Sequence, residues 1–130
     1  MQHIKDKEPI KNMPADFFLS ESSQVELSAI AQKLKLSYSL KLSKKSLVSK
    51  LSVIYTDMPQ VIAANISKEA ACVLCDMAQN GFELPSGQGE GMAELVSMAL
   101  ALPLKDNDGL ISAYVTQRAI CSGVIKYAVK

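Results

Sequence analysis

Cys72 and Cys75 are separated by two residues, and two thiols three positions apart on a helix face the same way. A closed zinc site takes four ligands, and the remaining soft candidates are Cys121 and His3, the latter close to the N-terminus. A redox pair needs its first thiol at a helix N-terminus, where the dipole lowers the thiol pKa. Cys72 instead sits inside the apolar run Ala70 to Cys75. The expectation is a set of buried, unreactive core thiols, with no metal and no cofactor.

The other chemical patterns are incomplete. Gly87, Gly89 and Gly91 precede a helical stretch and offer backbone N–H groups. No lysine follows at the phosphate-loop position, however, and no clear strand precedes the loop. Asp106, Asp108 and Gly109 match three positions of a calcium-binding loop, yet Leu104 and Val115 occupy the first and twelfth positions, where carboxylates are needed. The sole histidine, His3, leaves no internal base for a serine or cysteine nucleophile. Asp76, Glu83, Glu90 and Glu94 have a spacing that solvated helix faces explain. No catalytic residues are assigned, and an enzyme is not expected.

Lysine is the residue whose placement stands out. Lys33, Lys35, Lys41, Lys44, Lys45 and Lys50 fall in a window without any acid between Glu26 and Asp57, and such a cluster can neutralise phosphates in a salt-dependent manner. Within it, Leu27-Ser28-Ala29-Ile30-Ala31-Gln32-Lys33-Leu34-Lys35-Leu36-Ser37 resembles the first helix and turn of a helix-turn-helix DNA-binding motif. The Ile-Ala pair, the Leu three residues later and the Leu-Ser that opens the turn carry the resemblance. It implies a DNA-binding regulator using residues 27 to 50. Lys35 stands where that turn usually has Gly, and Lys41 and Lys44 occupy two core positions of the second helix; a second helix beginning at Ser43 or Lys45 avoids burying those ammonium groups. The single arginine, Arg118, leaves little for guanine recognition.

Composition bounds the rest. A chain of 130 residues with 48% hydrophobic and 21% charged content suits one globular domain. Six Met, three Phe and no Trp describe a core of aliphatic and thioether packing. The net charge is +1, but residues 1 to 55 carry nine Lys against five acids and the remainder five cations against eight acids. Charged residues from Lys5 to Lys11 argue against a secretory signal, and no run nears the roughly 18 residues of a membrane span. Three cysteines, an odd number, suit reduced thiols in the cytoplasm.

These residues need elements to hold them. Ile66 to Gly81 is the organising stretch: Ser67 caps a helix, Glu69 suits its positive end, and Asn80-Gly81 stops it. Six apolar residues in succession between the caps predict a helix buried on all sides over about 67–80. Ser23 and Glu26 form a capping box before a helix over 23–36, with Leu27, Ile30, Ala31 and Leu34 on one face. Two templates compete over residues 37–55: alternating apolar residues suit a β-hairpin, whereas Leu47, Val48, Leu51, Ile54 and Tyr55 share a helical face from 45 to 55, the closer match. A short helix begins at Met58-Pro59. Residues 82–91 read as a loop, 92–102 as a helix ended by Pro103, 105–109 as a turn and 110–130 as a helix, with a strand pair around Gly123 as the alternative.

The sequence therefore predicts an all-α or α-rich fold, with α+β as the alternative. Residues 1–14 are expected to form a flexible arm before a helix-rich domain over 15–130, pinned by the adjacent Phe17 and Phe18. The functional expectation is non-enzymatic binding of another macromolecule, by an adaptor, chaperone-like protein, inhibitor or regulator. A protein partner or self-association comes first and nucleic acid second, through Phe17 and Phe18 or through Lys33, Lys35, Lys41, Lys44, Lys45 and Lys50.

Overall fold

Three serine caps set the helical frame. In the computed structural model, which describes residues 7–36 and 42–128, Ser23, Ser43 and Ser67 each accept a hydrogen bond from the backbone N–H three residues on. They open α3 (Gln24–Lys33), α4 (Lys44–Asp57) and α6 (Lys68–Gln79). The Ser23 box is complete, because Glu26 Oε1 accepts from the Ser23 N–H at 2.7 Å. Shorter helices are α1 (Lys7–Lys11), α2 (Ala15–Leu19) and α5 (Pro59–Ala63), the last with Pro59 in its first turn. Toward the C-terminus come β1 (Glu83–Pro85), α7 (Glu90–Ser97), β2 (Ala101–Lys105), β3 (Ile111–Thr116) and α8 (Arg118–Ala128). The described chain is helix-rich, with one small antiparallel sheet of order β1-β3-β2.

Packing decided the contest over 37–55. A hairpin would place Leu47, Leu51, Val53 and Tyr55 on one face. Instead Leu47, Leu51, Ile54 and Tyr55 are buried while Val53 is 54% exposed, which is helical periodicity. The hairpin is overturned for residues 42–55; residues 37–41, including Lys41, lie outside the described residues.

The expected helix over 110–130 is also corrected. Ala113 and Val115 are buried with one residue between them, the strand period, and the chain becomes helical only after Gln117, whose side chain accepts from the Ile120 N–H at 2.7 Å. Gly123 sits within α8, where a Cβ would lie 3.1 Å from the Pro59 ring, so the small residue permits close approach of α5. Likewise, the helix expected over 92–102 runs from Glu90 to Ser97. It stops through Ala99 at φ 59°, with the Leu100 N–H reaching back to the Leu95 carbonyl at 2.9 Å. Pro103 is not a helix stop but a residue of β2. The 82–91 loop contains β1.

α6 is in contact with α7, α8 and β1, and Ala70, Ala71, Leu74 and Met77 form its buried stripe. Its end closes as its residues suggest: Gly81 and Phe82 take positive φ, and the Phe82 N–H donates to the Met77 carbonyl at 2.7 Å. Burial on all sides does not hold. Cys72 is exposed and Cys75 only half-buried, because neighbouring elements cover one stripe of the helix and the apolar run continues past it. The shared core joins this stripe to Leu19, Leu27, Leu47, Leu51, Ile62, Leu95 and Val124.

The N-terminal segment expected to be a flexible arm reaches the sheet. α1 contacts β3, and its Lys11 is only 1% exposed, with Nζ 2.7 Å from Glu8 and 2.6 Å from Glu83. Burial works against the Lys11 charge, but the two carboxylates hold its pKa above the ordinary value. From residue 7 the N-terminal segment is one helical turn, with Lys11 held by ion pairs.

Candidate functional site

α2 has a groove on each side, and the two hold Phe17, Phe18, Lys44 and Lys45 of the residues singled out in the sequence. Phe17 is half-buried and Phe18 buried, their rings meeting edge to face at 5.8 Å and 76°. Both line a groove of about 550 Å³ whose other walls are Ile10, Val96, Ala99 and β2, with Glu21 and Glu26 on its rim. Such a volume falls in the range of ligand-binding clefts. Across α2, Asp16 and Ser20 face Lys44, Lys45 and Val48 over a second groove of about 560 Å³.

The lysines do not gather on one element. Lys33 approaches Glu94 of α7 at 3.8 Å. Lys35 ends α3 at φ 61°, the left-handed position, and the Leu36 N–H donates to the Ala31 carbonyl at 2.9 Å. Lys44 and Lys45 are exposed in the first turn of α4, and Lys50 is exposed further along it. The structure thus pairs Lys44 and Lys45 with α2, and Lys33 with α7.

The first groove has a feature that sequence reasoning missed. Every residue from Ala101 to Lys105 lines it. Side chains alternate between the two faces of a strand, so contact with all five places the groove along an edge. The hydrogen-bond register agrees. The Thr116 N–H donates to the Phe82 carbonyl at 3.1 Å, which turns the backbone groups of Thr116 and Tyr114 toward β1. Those of Val115 and Ala113 therefore turn toward their β2 partners, Leu102 and Leu104. The Asp106 N–H, two residues further on, also points inward, to the Leu110 carbonyl at 2.8 Å. Ala101, Pro103 and Lys105 consequently direct their backbone groups away from the sheet. Pro103, having no N–H, occupies the one orientation a strand proline tolerates.

The signal for this edge was present. Ala101–Lys105, the Asp106-Asn107-Asp108-Gly109 turn and β-branched Ile111–Thr116 together form a hairpin pattern. The turn is built as its residues suggest, with Asp106 Oδ1 accepting from the Asp108 and Leu110 N–H groups at 2.9 and 3.0 Å, and Gly109 at φ 80°.

Thiol and carboxylate chemistry finds less support. Burial raises the Cys75 pKa, aided by Cys72 and Asp76, and pushes Cys121 up to about 12; both changes favour the unreactive thiol. Among the described residues, no group of three or more His, Cys, Asp or Glu side chains is placed to hold a metal ion. No described helix is long and apolar enough to cross a membrane.

No family model matches the sequence. No curated protein and no solved structure shows significant similarity to it.

Proposed function

We propose that the protein acts in the cytoplasm, without catalysis, by binding another protein, and that the groove along β2 receives an extended segment of that partner. One observation carries this reading: a strand edge with outward backbone groups opens into a groove walled by Phe17 and Phe18. Addition of a strand to such an edge combines main-chain hydrogen bonds with side-chain pockets. The test is a photo-crosslinking residue placed at exposed Lys105, with exposed Val25 on α3 as the control. A protein adduct formed in cells from position 105 and not from 25 supports the reading. No adduct, or the same adduct from both positions, overturns it.

A second reading, DNA binding through α3 and α4, is favoured by Lys35 taking the left-handed turn conformation that glycine usually supplies in the helix-turn-helix motif. Lys44 and Lys45, both exposed, would then contact phosphates. Replacing both by Ala should weaken binding to duplex DNA and flatten its salt dependence. Duplex affinity that does not change would remove this reading.

A further inference from the structure

We propose that the segment received by β2 is an extended run of about five residues, acidic near its N-terminal end and basic near its C-terminal end, lying antiparallel to the strand. This inference rests on the reading of the groove as a protein-binding site.

Its length follows from β2, whose five residues span about 17 Å. Its charge order follows from the ends of the groove. Glu26 also borders Ser97 and Met98, and Val96 and Ala99 shortly precede the strand, so Glu26 lies at the Ala101 end. Lys105 marks the opposite end, after the bulge that follows Leu104. Glu26 is exposed, and only its Oε1 is used by the Ser23 N–H, so its charge faces the groove mouth with an oxygen to spare. An antiparallel occupant runs from the Lys105 end to the Glu26 end, and antiparallel pairing is the more stable arrangement per residue. Complementary charges then set its direction.

The backbone edge makes a matching demand. With no N–H at Pro103, the centre of β2 accepts but does not donate, so the occupant must supply the donor there. A second copy of β2 meets this poorly: in antiparallel register centred on residue 103, both prolines lack a donor. The walls that flank β2, Ile10, Phe17, Phe18 and Val96 among them, would also meet their own copies. A lone extended segment fits where another walled edge does not.

The test uses two peptides of identical composition, acetyl-Glu-Val-Thr-Val-Arg-amide and acetyl-Arg-Val-Thr-Val-Glu-amide, titrated into the full chain by calorimetry. The first should bind about tenfold more tightly, the scale of two rim charge pairs made favourable rather than repulsive, and added salt should narrow the gap. In a Lys105→Glu variant, a change at an exposed position that makes both ends of the groove acidic, the preference should disappear. Equal binding of the two peptides, a preference that the variant leaves unchanged, or self-association of the protein through β2 in place of peptide binding would overturn the inference. Failure of both peptides alongside a protein adduct from position 105 would overturn the charge order while leaving the groove reading intact; loss of the adduct as well would remove both.

Discussion

Replacing Glu94 with Gln should cost about 2 kcal/mol of stability at pH 7, and that cost should shrink as pH falls through the carboxylate range. Glu94 reaches from α7 to the start of α6. Its Oε2 accepts the Ser67 N–H at 2.9 Å and its Oε1 the Ser67 hydroxyl at 2.6 Å, while Ser67 Oγ itself accepts the Ala70 N–H at 3.0 Å. A glutamine has one acceptor oxygen, so one donor loses its partner and the other exchanges a charged acceptor for a neutral one. Hydrogen bonds to charged groups contribute roughly 1.5–3 kcal/mol each, and the 21% exposure of the Glu94 side chain places the total near the lower end. For a chain of 130 residues the unfolding entropy is about 270 cal/mol/K, so the loss corresponds to a fall of about 7 °C in Tm.

The pH dependence gives this reasoning its sharper test. Burial opposes the Glu94 charge, but hydrogen bonds from Ser67, with Lys33 adding a little, hold its pKa below the ordinary 4.5. A group whose folded pKa is depressed stabilises fully above its unfolded value and loses that contribution as pH falls through the folded one. The gap between wild type and Glu94→Gln should therefore be constant from pH 7 to about 5 and close below 4.5. Urea unfolding at a series of pH values, with unchanged m, measures it. Lys33→Ala, which breaks a pair at 3.8 Å with a lysine 43% exposed, should cost less than about 0.5 kcal/mol. A gap below about 0.5 kcal/mol at pH 7, or one that persists unchanged to pH 3, would refute the reasoning.

Four further variants probe how the elements are held. Gly91→Ala should destabilise by about 1–2 kcal/mol despite the helix propensity of alanine, because the new Cβ would meet Val73 Cγ2 at 2.8 Å and the Glu69 carbonyl oxygen at 3.0 Å; denaturant midpoints would check this, and a gain in stability would contradict the close packing of α6 on α7. Lys11→Ala should cost about 3 kcal/mol and make the residues before α2 sensitive to protease, since it leaves Glu83 without this cation. Lys11→Met combined with Glu83→Gln should recover most of that loss. Ser52→Ala should be neutral or stabilise by about 1 kcal/mol, because the Ser52 hydroxyl is buried with no hydrogen-bond partner among the described residues.

What could be read from the chain depended on how local its determinants are. Ser23, Ser43 and Ser67 satisfy N–H groups three residues away, so the helices they open follow from short windows, and α6 ends at Asn80-Gly81 as its residues indicate. The first strand of the sheet was illegible for the opposite reason. β1 has three residues and pairs with β3 some thirty positions later; no local pattern distinguishes Glu83–Pro85 from the glycine-rich loop that follows it. Pro103 misled because proline commonly ends helices, and its tolerance in β2 depends on that strand lying at the edge. The exposure of Cys72 depended on which elements dock against α6, and the burial of Lys11 on Glu83, which lies far along the chain.

The candidate site divides in the same way. Phe17 and Phe18 were visible as adjacent aromatics, and they do line a groove. Their opposite wall, the β2 edge, emerges only once β3 is placed. The lysine window was equally visible as composition, but folding sends Lys33 to Glu94 and leaves Lys44 and Lys45 beside Asp16.

The most direct test of the β2 groove as the binding surface is backbone NMR of the full chain titrated with the Glu-first peptide. The expected shift changes centre on Ile10, Phe17, Glu21, Ala101, Leu102, Leu104 and Lys105, with α4 and the outer face of α6 around Cys72 unaffected. Changes centred on Lys44 and Lys45, or no changes along β2 at saturating peptide, would contradict it.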